Sequence, residues 1–269
     1  MMFLFATVNS FVSVNSFAKE SLTLTLASQV DNGHQFFHEL IYQALTRDGH
    51  EVKIIVPSDH IPQKRVVRMV EADMLSLTWL LATPERDAHF TSVDVPLTNG
   101  LIGKRLLLIP PGLQQKFDKI NTLEELRASK LVAGLGISWF DVDVWQFNSL
   151  PVYQADGEWR SLYWKLTHTG PINYFPRGLN EIGLEAAQNP HLSIEKHLML
   201  VYNRDLKFYL SPQTAKYQPQ LEQALLRAKQ DGLIDELVDK YWGESFKLLQ
   251  PELRTVITLD LPPSVSQKH

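Results

Sequence analysis

The chain has 269 residues, 44% hydrophobic and 21% charged, with a formal net charge of −4 and no cysteine. That composition suits one large globular domain or two smaller ones. It excludes a disulfide framework or a cysteine-ligated metal, and an acidic chain without basic blocks is poorly suited to nucleic acid or an anionic membrane surface.

Met1 to Ala18, "MMFLFATVNSFVSVNSFA", carries no charge, and Lys19 and Glu20 follow at once. An apolar stretch runs from Met2 to Val14, and Ser16 and Ala18 put small side chains beside a possible cut. The segment predicts a secretory signal peptide over residues 1–18 that lacks only its positive n-region. The other reading is a buried first strand, which Asn9, Ser10, Asn15 and Ser16 suit poorly. No stretch reaches the ~20 apolar residues of a permanent span. Export to a periplasm is the expectation, with no membrane insertion after cleavage.

Leu22 to Ala27 alternates apolar and polar residues, as a half-buried strand does. His34 to Thr46 has Phe37, Leu40, Ile41, Ala44 and Leu45 at helical spacing, closed by Asp48-Gly49. Val52 to Val56 predicts a strand, Pro62 to Ala72 a helix and Met74 to Leu81 a third strand. This β-α-β-α-β order favours a sheet with helices on its faces. Leu101 to Ile109 is a further strand, stopped by Pro110-Pro111-Gly112. The rhythm then restarts with a helix over Leu123 to Ser129, a strand over Leu131 to Ile137, a helix over Phe140 to Ser149 and a strand over Val152 to Gln154. A helix over Glu158 to Thr167, a strand over Ile172 to Phe175 and a helix over Leu179 to Ala187 follow. Leu198 to Asn203 and Lys207 to Leu210 are strand pieces, and helices cover Tyr217 to Lys229 and Leu233 to Tyr241. The tail over 262–269, opening with Pro262-Pro263, is expected to be loosely held.

Two α/β units in succession, with proline-bounded strands near 101–110 and 198–206, predict two lobes joined by two extended segments. The order of motifs resembles the periplasmic solute-binding proteins of the amino-acid ABC-transport type, the type II periplasmic binding fold. Three stretches carry the resemblance. The first is Ala72-Asp73, the strand to Leu81, Thr83-Pro84-Glu85-Arg86 and Val95-Pro96-Leu97. The second is Gly103-Lys104-Arg105, then Ile120 to Leu126 and Val132 to Gly136. The third is Leu206 to Leu210, Leu221 to Ala228 and Asp231-Gly232 before Ile234 to Tyr241. The resemblance implies an α/β fold of two lobes, each a mostly parallel sheet flanked by helices. Residues 19–104 and 204–261 would form lobe 1 and residues 105–203 lobe 2. The pattern departs where an acidic residue for a ligand amine is expected, since the chain there reads Asn173, Tyr174 and Arg177. That marks an atypical branch.

In open α/β sheets, ligands bind beyond the carboxyl ends of strands. Trp79 and Thr83, at the end of the third strand, and Arg86 after it are the candidates of lobe 1; a core tryptophan is the other reading of Trp79. Ser138, Trp139 and Asp141 follow the strand at 131–137. Ser138 is placed to cap the next helix and Trp139 to wall a pocket, unless Trp139 and Phe140 are core and the aspartate simply starts a helix. Tyr174 and Arg177 complete the set. Gly178 leaves room for a tight turn, and free N–H groups of the following helix would join Arg177 in an anion-accepting corner. The alternative is an ion pair of Arg177 with Glu181 or Glu185.

His34 and His38 stand one turn apart but lack an HExxH pattern or a third ligand, and Asp141 with Asp143 is too little for a calcium loop. No metal and no cofactor is expected. No G-x-S-x-G, phosphate loop or dinucleotide motif is present. The expectation is a monomeric, non-enzymatic binding protein that closes on a small polar, carboxylate-bearing solute for an ABC permease. A ligand-sensing module for a membrane signalling partner and a dehydratase-like enzyme on the same scaffold are the alternatives.

Overall fold

The computed structural model describes residues 21–58 and 60–263. The expected signal peptide and the tail from residue 264 lie outside the described residues.

The first sheet grows from the alternating strand β1 (Leu22–Thr25), whose Leu22 and Leu24 are buried. Helix α1 (Gln35–Arg47) lays its apolar stripe, Phe36, Phe37, Leu40, Ile41, Ala44 and Leu45, into the same core. β2 (Val52–Ile55) pairs parallel with β1, and α2 (Gln63–Glu71) buries Val66 and Val70. β3 (Leu77–Leu81) joins β1 through the Ser76 N–H, which donates to Thr25 O at 2.8 Å. The sequence did not announce α3 (Pro84–His89) and β4 (Thr91–Val93). Both are too short to show a period, and α3 buries no residue that would mark one.

A 3-10 turn over Leu101–Gly103 precedes β5 (Lys104–Ile109), so the strand expected from Leu101 starts three residues late. Next come α4 (Gln114–Phe117) and α5 (Leu123–Ala128). α5 opens with a reciprocal capping box between Thr122 and Glu125. β6 (Ala133–Gly136), α6 (Phe140–Phe147) and β7 (Val152–Ala155) form the second parallel unit. The helix expected over 158–167 breaks into a 3-10 turn at Trp159–Ser161 and the single-turn α7 (Leu162–Lys165). β8 (Phe175–Gly178), α8 (Ile182–Gln188), β9 (Ser193–Ile194) and β10 (Leu198–Val201) complete this region. The chain returns through β11 (Leu206–Leu210), α9 (Gln218–Gln230) and α10 (Leu233–Leu249) before a last strand, β12 (Thr255–Thr258).

Both sheets are mixed. β11 runs antiparallel between β3 and β4 in the first. In the second the order is β12-β10-β5-β8, with β5 antiparallel to β8 and β10, and β12 parallel to β10. β6 is joined to this array by the Gly134 N–H donating to Tyr174 O at 2.8 Å. The strand expected at Ile172 to Phe175 is therefore displaced. Proline and glycine read as turn punctuation, yet Pro176 is tolerated because β8 ends the paired order, and Arg177 lies inside the strand. α9 and the start of α10 share the first core with α1, whereas Phe246 and Leu249 of α10 pack with Leu179 and Ile182 in a second core cluster, and Trp242 touches both.

Two segments cross between the sheets, residues 98–103 and 202–205. They are bound to each other: the Tyr202 N–H donates to Gly103 O at 3.1 Å, and the Asp205 carboxylate accepts from Thr98 Oγ1 and the Gly100 N–H, both at 2.6 Å. Gly103 is needed for this approach, since a Cβ there would collide with Tyr202 O and stand 2.8 Å from Arg204 O. Backbone cannot yield as a side chain end can. Gly103→Ala should therefore lower stability by about 2–3 kcal/mol, read as a lower urea midpoint with an unchanged slope.

Candidate functional site

A cleft of about 680 Å³ opens between the two sheets. One wall comes from the loop after β1, the end of β3 and α3. The other comes from the start of α6, the 158–161 turn, β8 and α8, and Tyr241 and Trp242 of α10 also line it. Strand ends and helix starts converge here because each parallel unit delivers its loop to the same edge.

In the first wall, Thr83 caps α3: its Oγ1 accepts the Arg86 N–H at 3.2 Å, Pro84 fills the first turn, and Glu85 and Asp87 complement the helix start. That cap aims the α3 turn so that Arg86 Nη1 donates to Leu81 O at 2.6 Å. Arg86 has no ion-pair partner among the described residues. Burial lowers its pKa from the ordinary value, although Tyr209, Asp141, Glu85 and Asp143 oppose that. Trp79 stacks on Phe37, centroids 4.6 Å apart.

The second wall is built on buried arginines with partners. Arg105 of β5 meets Asp141 at 2.9 Å, and Tyr202 OH donates to Asp141 Oδ1 at 2.7 Å while accepting from Arg105 Nε at 3.0 Å. Arg177 grips Glu185 with two bonds of 2.7 Å and lies 3.1 Å from Glu181. Glu181 also stands 3.6 Å from Arg105 and accepts the Gly178 N–H at 3.0 Å. Burial alone would lower the pKa of Arg177; Glu181 and then Glu185 overcome it and hold the guanidinium well above its ordinary range. Beside them, Asn180 is 9% exposed and its Oδ1 has no hydrogen-bond partner.

At the rim the two walls touch. Arg160 pairs with Asp31, His60 stands 3.9 Å from Glu158, and Lys64 stands 3.8 Å from Asp156. For Asp31, burial would raise the pKa, but Arg160 and the Gly33 N–H bring it below the usual carboxylate range.

The cleft brings together Trp79, Arg86, Trp139, Asp141 and Arg177 from the sequence-derived set. Thr83 is buried behind it as the α3 cap and lines a second cavity at the crossing segments. Ser138 is exposed, is not among the lining residues and does not cap α6, whose N-cap is Trp139 without a side-chain bond. Tyr174 is fully buried in the core, where its OH accepts from Trp145 Nε1 at 3.0 Å; the isolated bridge to Ala133 turns it away from the lining. The two readings of Arg177 merge, since it faces the cleft and is ion-paired there. Sequence reasoning missed Arg105, whose signal was a charge inside an apolar strand, and the Asp31–Arg160 pair, which no local pattern announces. His34 and His38 are engaged with backbone: His34 Nδ1 accepts the Gln29 N–H at 3.0 Å, and His38 Nε2 donates to Ala27 O at 2.9 Å. Among the described residues no three His, Cys, Asp or Glu side chains cluster as metal ligands, and no helix is long and apolar enough to cross a membrane.

No protein-family model matches the sequence, and neither does any curated protein. Solved structures do match. An ancestral arginine-binding protein bound to glutamine aligns with a TM-score of 0.60 at 14% identity, over 82% of this chain and 98% of that one. An arginine-binding protein mutant from T. maritima aligns at 0.56 and 15% identity, over 82% and 95%. An amino acid ABC transporter substrate-binding protein from Streptococcus pneumoniae, bound to L-arginine, aligns at 0.59 and 13% identity, over 81% and 93%. The chain has the type II periplasmic binding fold. Its two sheets are the two lobes of that fold, and the cleft is the space between lobes.

His38, edge-on to Trp79 behind the first wall, carries a pH signature. Burial, then the neighbouring His34, push its pKa down from 6.5 to about 4 despite the bond to Ala27 O. The unfolded chain thus takes up the proton first, so the contribution of neutral His38 is complete above about pH 6.5 and is lost as pH falls toward 4. Melting temperature should fall between pH 7 and 4.5, and less steeply in His38→Gln, which keeps a donor for Ala27 O; equal slopes would refute the assignment.

Proposed function

We propose that this is an exported solute-binding protein that captures a small, carboxylate-bearing, amino-acid-like solute by closing its two lobes, and delivers it to an ABC importer without transforming it. Lobe 1 takes in residues 19–104 with most of 204–261, and lobe 2 residues 105–203, with β12 lying on the second sheet beside β10. Closure turns on the segments Leu101–Pro110 and Leu200–Asp205. The charge-free segment 1–18 supports export.

One observation carries the reading. Four arginines line the cleft, Arg86, Arg105, Arg160 and Arg177, and only Arg86 lacks a carboxylate partner among the described residues. A guanidinium withdrawn from water with unused donors is a ready fork for a carboxylate. Asn180 Oδ1, unpartnered on the opposite wall, offers an acceptor for an N–H of the same solute. A guest bridging both walls binds the closed arrangement better than the open one, which is the whole thermodynamic requirement for closure. An affinity near 1 μM corresponds to about −8 kcal/mol, within reach of a few charge-assisted bonds in a dehydrated cleft.

A thermal-shift screen of amino acids and dicarboxylates tests this. A bound solute at ~100 times its Kd adds about 2.7 kcal/mol, a rise of roughly 5–10 °C for a chain of this size. Arg86→Ala should weaken binding ~100-fold while leaving the far-ultraviolet circular dichroism unchanged, as loss of a charge-assisted pair predicts. If no solute moves the melting point, the capture reading fails.

A further inference from the structure

The second wall contains a complete receptor for a guanidinium, and the chain fills it itself. Around the Arg177 Cζ stand the rings of Trp159 at 4.6 Å, Phe175 at 5.0 Å and Trp139 at 5.1 Å. Glu185 takes the fork side-on, accepting from Arg177 Nε and Nη2 at 2.7 Å each, and Glu181 adds a contact at 3.1 Å. Aromatic faces plus a bidentate carboxylate are what a free guanidinium compound would require of a binding site. Arg177 is 5% exposed, so no solute displaces it without first stranding two carboxylates.

The remaining charges tell the same story. Four carboxylates line the cleft, Asp31, Asp141, Glu181 and Glu185, and each already faces an arginine of the chain. Among the described residues Arg86 is the one lining arginine without a carboxylate, while Asp141, Glu181 and Glu185 share Arg105 and Arg177. A cationic side chain entering this cleft would have to compete for carboxylates that arginines of the chain already hold, whereas a carboxylate meets Arg86 with donors unused.

We propose that Arg177 is a built-in occupant of a guanidinium cage and, by filling it, restricts the cleft to carboxylate solutes that carry no cationic side chain. The restriction rests on the capture reading; the cage does not.

Arg177→Ala in the full chain removes the occupant and leaves a space the shape of ethylguanidinium. The variant should melt below the wild type, and millimolar ethylguanidinium should restore about 3 °C or more, with no effect from ethylammonium and none on the wild type. Adding Glu185→Gln should abolish the rescue. If Arg177→Ala does not fold alone, recovery of soluble protein on refolding with and without ethylguanidinium gives the same readout. A variant indifferent to ethylguanidinium, or rescued equally by ethylammonium, overturns the cage. In the solute screen of the wild type, arginine and lysine should leave the melting point unmoved while a neutral or acidic amino acid raises it; stabilisation by arginine or lysine overturns the restriction. A wild type that no solute stabilises overturns the capture reading and the restriction with it, while the rescue still decides the cage.

Discussion

Arg105 is buried where the chain passes from one sheet to the other, and its charge dictates much of what surrounds it. A guanidinium taken out of water needs counter-charge and acceptors, and here Asp141 supplies the first and Tyr202 OH adds to the second. Those three residues come from β5, the start of α6 and the returning crossing segment. The ion pair therefore ties the outgoing strand, the returning segment and the helix that forms the cleft wall. Glu181 at 3.6 Å connects this group to Arg177, so the charges under the second wall form one network. Removing Arg105 or Arg177 would leave a buried carboxylate, Asp141 or Glu185, without its main complement, which favours one arrangement of the wall.

The first wall is of a different nature. Its side of the cleft carries aromatic rings, a helix-capping turn and one arginine bound only to a backbone carbonyl. Stability and availability are thus divided between the lobes: on one side every lining arginine is paired and Asn180 Oδ1 is the free acceptor, while the other has donors to spare. Under the proposed capture, a solute would meet a preorganised surface on lobe 2 and an unsatisfied cation on lobe 1, and the unsatisfied group would gain most from contact.

The alternation of β1, the helical stripe of α1 and the βαβ rhythm were legible because burial on one face imposes a period, and periods survive in sequence. Short elements such as α3, β4 and β12 show none, and the Phe175–Gly178 strand was hidden behind a proline and a glycine that usually mark a turn. For the cleft, Trp79 at the end of β3 and Arg86, Trp139 and Asp141 beyond strand ends were placed at its lining by position alone. Tyr174 was misplaced because it stands three residues before Arg177 along an extended run, an odd spacing that puts the two side chains on opposite faces. Arg160 and Asp31 meet across 129 residues of chain, a pairing that only the folded geometry creates.

The rim pairs bear on how firmly the lobes are held together. Lys64 and Asp156 are mostly exposed, at 66% and 74% of their side chains, and His60 with Glu158 is separated by 3.9 Å. Exposed pairs of this kind contribute about 0–1 kcal/mol each and weaken with salt. Arg160 with Asp31 is better sheltered, yet it stands alone in that respect among the three. The rim therefore supplies only a small bias toward contact between the walls. Against so small a bias, a solute joined to Arg86 on one side and Asn180 on the other would dominate the balance. Binding energy would then be converted into closure instead of being opposed by an already locked cleft.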